Sequence, residues 1–171
     1  MLDLAPEASD RLQRQVERFL YIEAELLDTW QLAAWLELVT KDIDYRMPVR
    51  TTRTDKQTGE IYSNRSFHML EDYESLAARV ARLSGTAAWS EYPASRARRH
   101  ISNVRVTPLN GDEIAAKSYI LFYWGRDELQ TVLSGERQDV LRAVDGRLRL
   151  ARRTVLLDHI ALPIPNLSMV L

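Results

Sequence analysis

The chain is 171 residues long and nearly neutral, with 23 lysines and arginines against 24 acidic residues, and it contains no cysteine. The missing cysteines remove disulfides, thiolate nucleophiles and thiolate-ligated zinc or iron–sulfur clusters, and the balanced charge gives no support for binding nucleic acid or an anionic membrane. The length suits one domain, residues 1–171, around one core, and a composition 46% apolar and 27% charged argues against disordered and fibrous classes.

The opening MLDLAPEASD is acidic and short of apolar residues, which fits neither a secretory signal nor an arginine-rich transit peptide. The longest dense apolar run, Tyr119 to Trp124, falls far short of the roughly 20 residues that span a bilayer. A cytoplasmic protein with no membrane partner is expected.

After Asp10, apolar residues at Leu12, Val16, Phe19, Leu20, Leu26 and Leu27 form a stripe at helical spacing. Asp10 with Gln13, and Asp28 with Gln31, resemble capping boxes. They predict a long first helix, a tight corner near Asp28 and a shorter second helix through Leu32, Trp35, Leu36 and Val39. From Ile43 to Val49 the period becomes two, predicting a strand whose end or edge is marked by Pro48. Thr51 to Arg65 is polar, contains Gly59 and lacks either period, so it reads as a loop or hairpin. Asp72 to Leu83 is helical, with Asp72 as its cap and Gly85 as its terminator. An irregular connection holding Trp89 and Pro93 follows.

Beyond Arg96 the chain reads as strands. Ser102, Val104 and Val106 alternate with Ile101, Asn103 and Arg105, and Asn110-Gly111 supplies a hairpin signal. Glu113 to Trp124 is a long strand, and Thr131–Leu141 and Arg147–Leu157 are joined at a second hairpin dipeptide, Asp145-Gly146. Helices first and hairpin-linked strands afterwards imply an α+β fold.

No Walker loop or dinucleotide fingerprint can be assembled from six isolated glycines. His68, His100 and His159 each stand alone, without a partner at metal-ligand spacing, so a structural or interface role is the better reading for each. Asp44, Tyr45, Asp72, Tyr73 and Asp158 could in principle do acid–base work, but cap, core and ion-pair roles are favoured. Arg96, Arg98, Arg99 and His100 form the densest basic run. At strand spacing Arg96, Arg98 and His100 share one face and Arg99 the other, and a solvated edge and a subunit interface fit about equally. Arg152-Arg153 invites the same two readings. Core packing is the default for Trp30, Trp35, Trp89 and Trp124, with Trp89 the best placed to bury against a partner.

Taken in order, these landmarks resemble the β (small) subunits of aromatic-ring-hydroxylating dioxygenases, the Rieske non-haem iron oxygenases. The resemblance rests on FLYIEAELLDTWQLAAWLELVTKDIDYRMPVR (Phe19 to Arg50), SRARRHISNVRV (Ser95 to Val106), GERQDVLR (Gly135 to Arg142), RRTVLLD (Arg152 to Asp158) and NLS (Asn166 to Ser168). The first ten residues and Thr51 to Arg65 contribute nothing to it. It implies an NTF2-like (cystatin-like) cone, with about three helices on the concave face of a curved antiparallel sheet. It also implies assembly with a larger α subunit, commonly as an α3β3 hexamer in which the β chains form a trimer. The α subunit would hold a Rieske [2Fe-2S] cluster and a mononuclear iron, fed with NADH or NADPH electrons through a reductase or ferredoxin, and the complex would convert aromatic rings to cis-dihydrodiols. This chain would then carry no catalytic residue, cofactor or metal of its own. Its expected subunit contacts are Trp89, Arg96, Arg98, Arg99, His100 and the carboxyl-terminal Asn166, Leu167 and Ser168.

Two rival readings share the fold class. A stand-alone enzyme (isomerase, dehydratase or epoxide hydrolase) would bring at least two of Asp44, Tyr45, His100 and Asp158 together in a roomy pocket, because fold alone does not fix function. A homo-oligomeric binding protein is the other. A cone filled by side chains favours the scaffold.

Overall fold

The computed structural model describes residues 7–51, 61–84, 95–164 and 170–171, with side chains from Asp10 onward. In chain order the elements are α1 (Glu7–Asp28), α2 (Leu32–Leu36), β1 (Val39–Arg50), β2 (Tyr62–Glu71), α3 (Tyr73–Ser84), β3 (Arg96–Pro108), β4 (Glu113–Arg126), β5 (Leu129–Val144) and β6 (Arg147–Leu157). The six strands form one sheet in the order β2-β1-β6-β5-β4-β3. The α+β class and the cone therefore stand. The sheet departs from fully antiparallel at one place, where β1 runs parallel to β6; the first and last strands meet inside the sheet, one strand in from the β2 edge.

Val16, Phe19, Leu20, Glu23, Ala24 and Leu27 form the buried face of α1, the stripe expected from helical spacing, with one carboxylate set among apolar residues. The helix starts before Asp10, so Asp10 is no cap. Gln13 instead donates from Nε2 to Glu17 Oε1 (2.6 Å) and to the Val104 carbonyl on β3 (2.8 Å). The corner after Asp28 is a Schellman turn: Gln31 N–H donates to Leu26 O and Trp30 N–H to Leu27 O, with Trp30 left-handed at φ 59°. A left-handed tryptophan is held there because its ring packs against the core. Asp28 does not cap α2 either, whose N-cap is Gln31 without a side-chain bond. At α3 the cap expectation is met, since Asp72 Oδ1 accepts from Ser75 N–H while Ser75 Oγ accepts from Asp72 N–H (both 2.9 Å). Gly85 and Trp89 lie outside the described residues.

Pro48 sits on an interior strand, yet beyond the stretch Val39–Arg46 that pairs with β6 and at a register shift against β2, so its missing N–H breaks no ladder bond. Of the polar segment Thr51 to Arg65, read as a loop or hairpin, residues 52–60 lie outside the described residues; Thr51 N–H donates to Ile61 O (2.8 Å), and Tyr62 to Arg65 are strand, not loop. That strand carries no legible pattern. β2 is a sheet edge on which Met69 alone is fully buried, so no apolar alternation marks it. In β3, a register shift between Ser102 and Arg105 with Asn103 at φ 51° marks a bulge. Ala97, Arg99 and Ile101 face inward before it, Val104 and Val106 after it, so Ser102 does not share a face with the two valines. Both hairpin dipeptides are turns, and Asp145 (φ 50°) and Gly146 (φ 73°) have the two left-handed residues of a type I′ turn. Asp127 (φ 50°) turns the unsignalled β4–β5 connection.

Gly135 on β5 faces the main chain of β6, where an added Cβ would stand 2.7 Å from the Leu156 carbonyl oxygen. Gly135→Ala should therefore push β5 from β6 and lower stability by about 1–3 kcal/mol, measured as a reduced denaturant midpoint.

Candidate functional site

Two regions carry the charged and aromatic groups, the interior of the cone and the outer face of the sheet. The interior is built around Arg153 on β6, flanked by Ala151 and Val155 at strand spacing and therefore directed inward with them. Its Nη1 donates to Glu23 Oε1 (2.6 Å) and its Nη2 to Glu23 Oε2 (2.8 Å). Its Nε and Nη2 donate to Asp139 Oδ1 (2.8 Å) and Oδ2 (2.7 Å). One guanidinium thus holds two carboxylates bidentately, one from α1 and one from β5. Arg137 adds a donation from Nη1 to Glu23 Oε2 (3.3 Å) and from Nε to Ser118 Oγ (3.4 Å), and the Trp35 indole donates to Glu23 Oε1 (3.3 Å). A short way off, Arg99 Nη1 meets Asp28 Oδ1 (2.5 Å), the Arg99 N–H donates to Asp28 Oδ2 (2.9 Å), and the guanidinium lies over the Phe122 ring at 4.8 Å.

Glu23, Asp28 and Asp139 balance Arg99, Arg137 and Arg153, and all six side chains are 5% exposed or less. Burial pushes the Glu23 carboxyl up, but Arg153 first and Arg137 second pull it down, and with hydrogen bonds from Arg153 and Trp35 it falls from the ordinary 4.5 to about 2. Burial likewise raises the Tyr45 phenol. Neither group is poised to exchange protons near neutral pH. Space is also wanting: the cavity bounded by Leu27, Leu32, Trp35, Arg79, Val80, Leu83 and Val170 is about 10 Å³, no more than about one water can occupy. Among the described residues, this part of the cone is filled by side chains.

The suspects for a stand-alone enzyme are scattered. Tyr45 is alone in the interior, bonded to Leu171. Asp44 is at the surface with Arg46 (2.7 Å), His100 is exposed on β3, and Asp158 accepts from Ser134 Oγ (2.8 Å) beside Arg50 (3.5 Å). Tyr73 is capped by Lys41, whose Nζ lies 3.5 Å from the ring centre. Arg153, read as part of a solvated edge or interface, is instead fully buried, and only Arg152 is exposed; the missed residues are Glu23, Arg137 and Asp139. Their signal was available: each is a charged residue at a position whose neighbours in phase, such as Leu20 and Leu27 or Leu133 and Leu141, are core.

On the outer face, Arg96, Arg98 and His100 are exposed as the strand spacing requires. Arg99 points inward, so its side chain is inside the fold and not at the surface. Pairing places Arg98 beside Tyr123, His100 beside Leu121 and Ser102 beside Tyr119, and the next strand adds Val132, Ser134 and Glu136. Tyr119, Leu121 and Val132 are 43%, 51% and 51% exposed, an unusual apolar load for solvated strands. An open groove of about 550 Å³ runs between Tyr119, Leu121, Ser134, Glu136, Leu156 and Asp158. Trp89, Asn166, Leu167 and Ser168 lie outside the described residues.

Residues 22–163 match the sequence profile of the family described as ring hydroxylating beta subunit. The chain belongs to that family. It is 36% identical over 165 residues to the biphenyl 2,3-dioxygenase subunit beta of Rhodococcus jostii, covering 92% of this chain and 87% of that protein. It is 36% identical over 170 residues to a benzene 1,2-dioxygenase subunit beta of Pseudomonas putida, covering 96% and 90%. Among solved structures, naphthalene 1,2-dioxygenase with indole bound in its active site superposes with a TM-score of 0.84 at 23% identity, over 99% of this chain and 89% of the other. A scytalone dehydratase-like protein from Novosphingobium aromaticivorans shares the fold at TM-score 0.64 and 14% identity, over 90% and 89%. The cone thus occurs in dioxygenase β subunits and in proteins named as enzymes.

The iron groups associated with such oxygenases do not fit this β subunit. A Rieske centre needs two cysteines, which the chain lacks. A two-histidine, one-carboxylate iron site needs its ligands together, whereas His68 and His100 lie on the two opposite edge strands. Among the described residues, no group of three or more His, Asp or Glu is placed to hold a metal, and no helix is long and apolar enough to cross a membrane.

Because Glu23 is held below its ordinary pKa, its contribution to stability is complete above about pH 4.5 and is lost as pH falls towards 2. A shift of that size corresponds to about 3 kcal/mol. Acid titration followed by circular dichroism should show unfolding in that window. Glu23→Ala should cost about 3–5 kcal/mol at neutral pH by taking from buried Arg137 its carboxylate and leaving Arg153 with Asp139 alone, seen as a lowered thermal midpoint.

Proposed function

We propose that this chain is the structural, non-catalytic β subunit of a multicomponent dioxygenase that uses O2 and electrons from NADH or NADPH to convert aromatic compounds to cis-dihydrodiols. The larger α subunit carries the Rieske cluster and the mononuclear iron, and a reductase or ferredoxin reaches the complex through that subunit. The working assembly is an α3β3 hexamer in the cytoplasm, with the β chains associating as a trimer. The observation that carries this reading is the filled, charge-neutral interior. A cone without room for a substrate works through its surface.

The outer face of the sheet supports a subunit contact. Arginines and a histidine at β3 border exposed tyrosine, leucine and valine on β4 and β5, the mixture of apolar centre and arginine-bearing rim common at protein interfaces. Arg96, Arg98 and His100 are the members of the basic run that belong to this contact, and Trp89 and Asn166 to Ser168 are further contacts.

Co-expression with the neighbouring large-subunit gene should yield a complex of hexamer mass whose iron is accounted for by the α chains. The β chain purified alone should be inert towards ring oxidation and hold no stoichiometric metal. Turnover or tightly bound iron in that preparation would refute the reading. Arg96→Glu, Arg98→Glu and Leu121→Asp in combination should weaken assembly in size-exclusion chromatography while the β fold persists by circular dichroism; an unchanged hexamer would remove the outer-face contact alone.

A further inference from the structure

The last strand ends at Leu157, yet Val170 and Leu171 lie inside the cone, 4% and 0% exposed. Their main-chain atoms are gripped there. The Tyr45 phenol donates to the Leu171 main-chain oxygen (2.8 Å) and accepts from the Leu171 N–H (3.0 Å). Arg153 Nη1 donates to the same Leu171 oxygen (3.3 Å), and Arg99 Nη2 donates to the Val170 oxygen. The three hosts come from β1, β6 and β3, and none exceeds 5% exposure.

Each arginine host is fixed by its own carboxylates, Arg99 by Asp28 and Arg153 by Glu23 and Asp139. The donors that meet the tail are therefore oriented independently of it. What completes the cluster is the pair of main-chain oxygens of Val170 and Leu171, which the Tyr45 hydroxyl and the two guanidiniums reach. The surrounding wall of Leu27, Leu32, Trp35 and Val80 suits branched apolar side chains.

We propose that the interior of the cone is a binding seat for a short apolar peptide strand, occupied in cis by Val170–Leu171. The tail acts as an intramolecular ligand. Without it, the Tyr45 hydroxyl and the Arg99 guanidinium lose buried acceptors, and the vacated seat takes an equivalent peptide from solution. The inference rests on the interior geometry alone and is independent of the β-subunit role.

The direct test uses a chain lacking Val170 and Leu171 and a synthetic peptide of residues 166–171. Calorimetry should show saturable binding, accompanied by a rise in the thermal midpoint towards that of the intact chain. The same peptide with aspartate in place of Val170 and Leu171 should not bind, and the intact chain should ignore both. A shortened chain that keeps the intact midpoint and does not bind the peptide overturns the proposal, as does equal binding by the intact chain. Should the shortened chain fail to fold, Tyr45→Phe in the full-length chain decides the matter. Removing the phenolic oxygen should speed hydrogen exchange at the Leu171 amide about tenfold relative to amides of β4 and β5, and an unchanged ratio overturns the seat.

Discussion

The double grip of Arg153 on Glu23 and Asp139 is the constraint on which the interior depends. Taken singly, any one of these ions would be costly to bury, since desolvation of a charge in a protein interior amounts to several kcal/mol. Held together, they leave few free donors or acceptors. The arrangement also fixes geometry across long sequence separations: Glu23 can meet Arg153 only if α1 lies at one depth and rotation over the sheet. Asp139 can meet it only if β5 and β6 keep the register that pairs these two residues. A wholly apolar core of equal volume would tolerate small slips that this cluster forbids. Its arrangement favours uniqueness of fold over raw stability.

The same cluster sets this cone apart from a reaction chamber. A reaction chamber needs volume, a group able to exchange protons near neutral pH, and access. Among the described residues, the cavity beside Leu27, Trp35 and Val80 holds about 10 Å³, the carboxylates are locked as anions beneath guanidiniums, and burial suppresses the acidity of the Tyr45 phenol. What the interior lacks, the convex side supplies in another form, as an apolar and arginine-bordered face. Membership of the ring-hydroxylating β-subunit family accords with that distribution.

Much of this was legible in the chain. Period-two and period-3.6 patterning located α1, α3, β1 and β3 to β6, and the Asn-Gly and Asp-Gly dipeptides fixed two hairpins, because in each case local chemistry and tertiary packing agree. β2 was obscured because an edge strand with one fully buried side chain has no alternation to display. Asp10 and Asp28 imitated caps, but the helix began earlier and Asp28 was claimed by an arginine 71 residues away. Long-range pairing of this sort leaves no local trace. The interior cluster was half visible: Glu23, Arg137 and Arg153 stand where apolar residues belong, a pattern that signals either an error of phase or a buried network. Choosing between these requires the fold.

The free side of β3 has one further consequence. It is the last strand of the sheet, and such a margin ordinarily offers main-chain groups to any passing extended segment. Here the Val104 carbonyl is occupied by Gln13 and the Arg99 amide by Asp28, both from α1. Another strand could extend the ladder at these positions only by prising the long helix away. Growth of the sheet from one molecule into the next is thereby hindered along this stretch of β3.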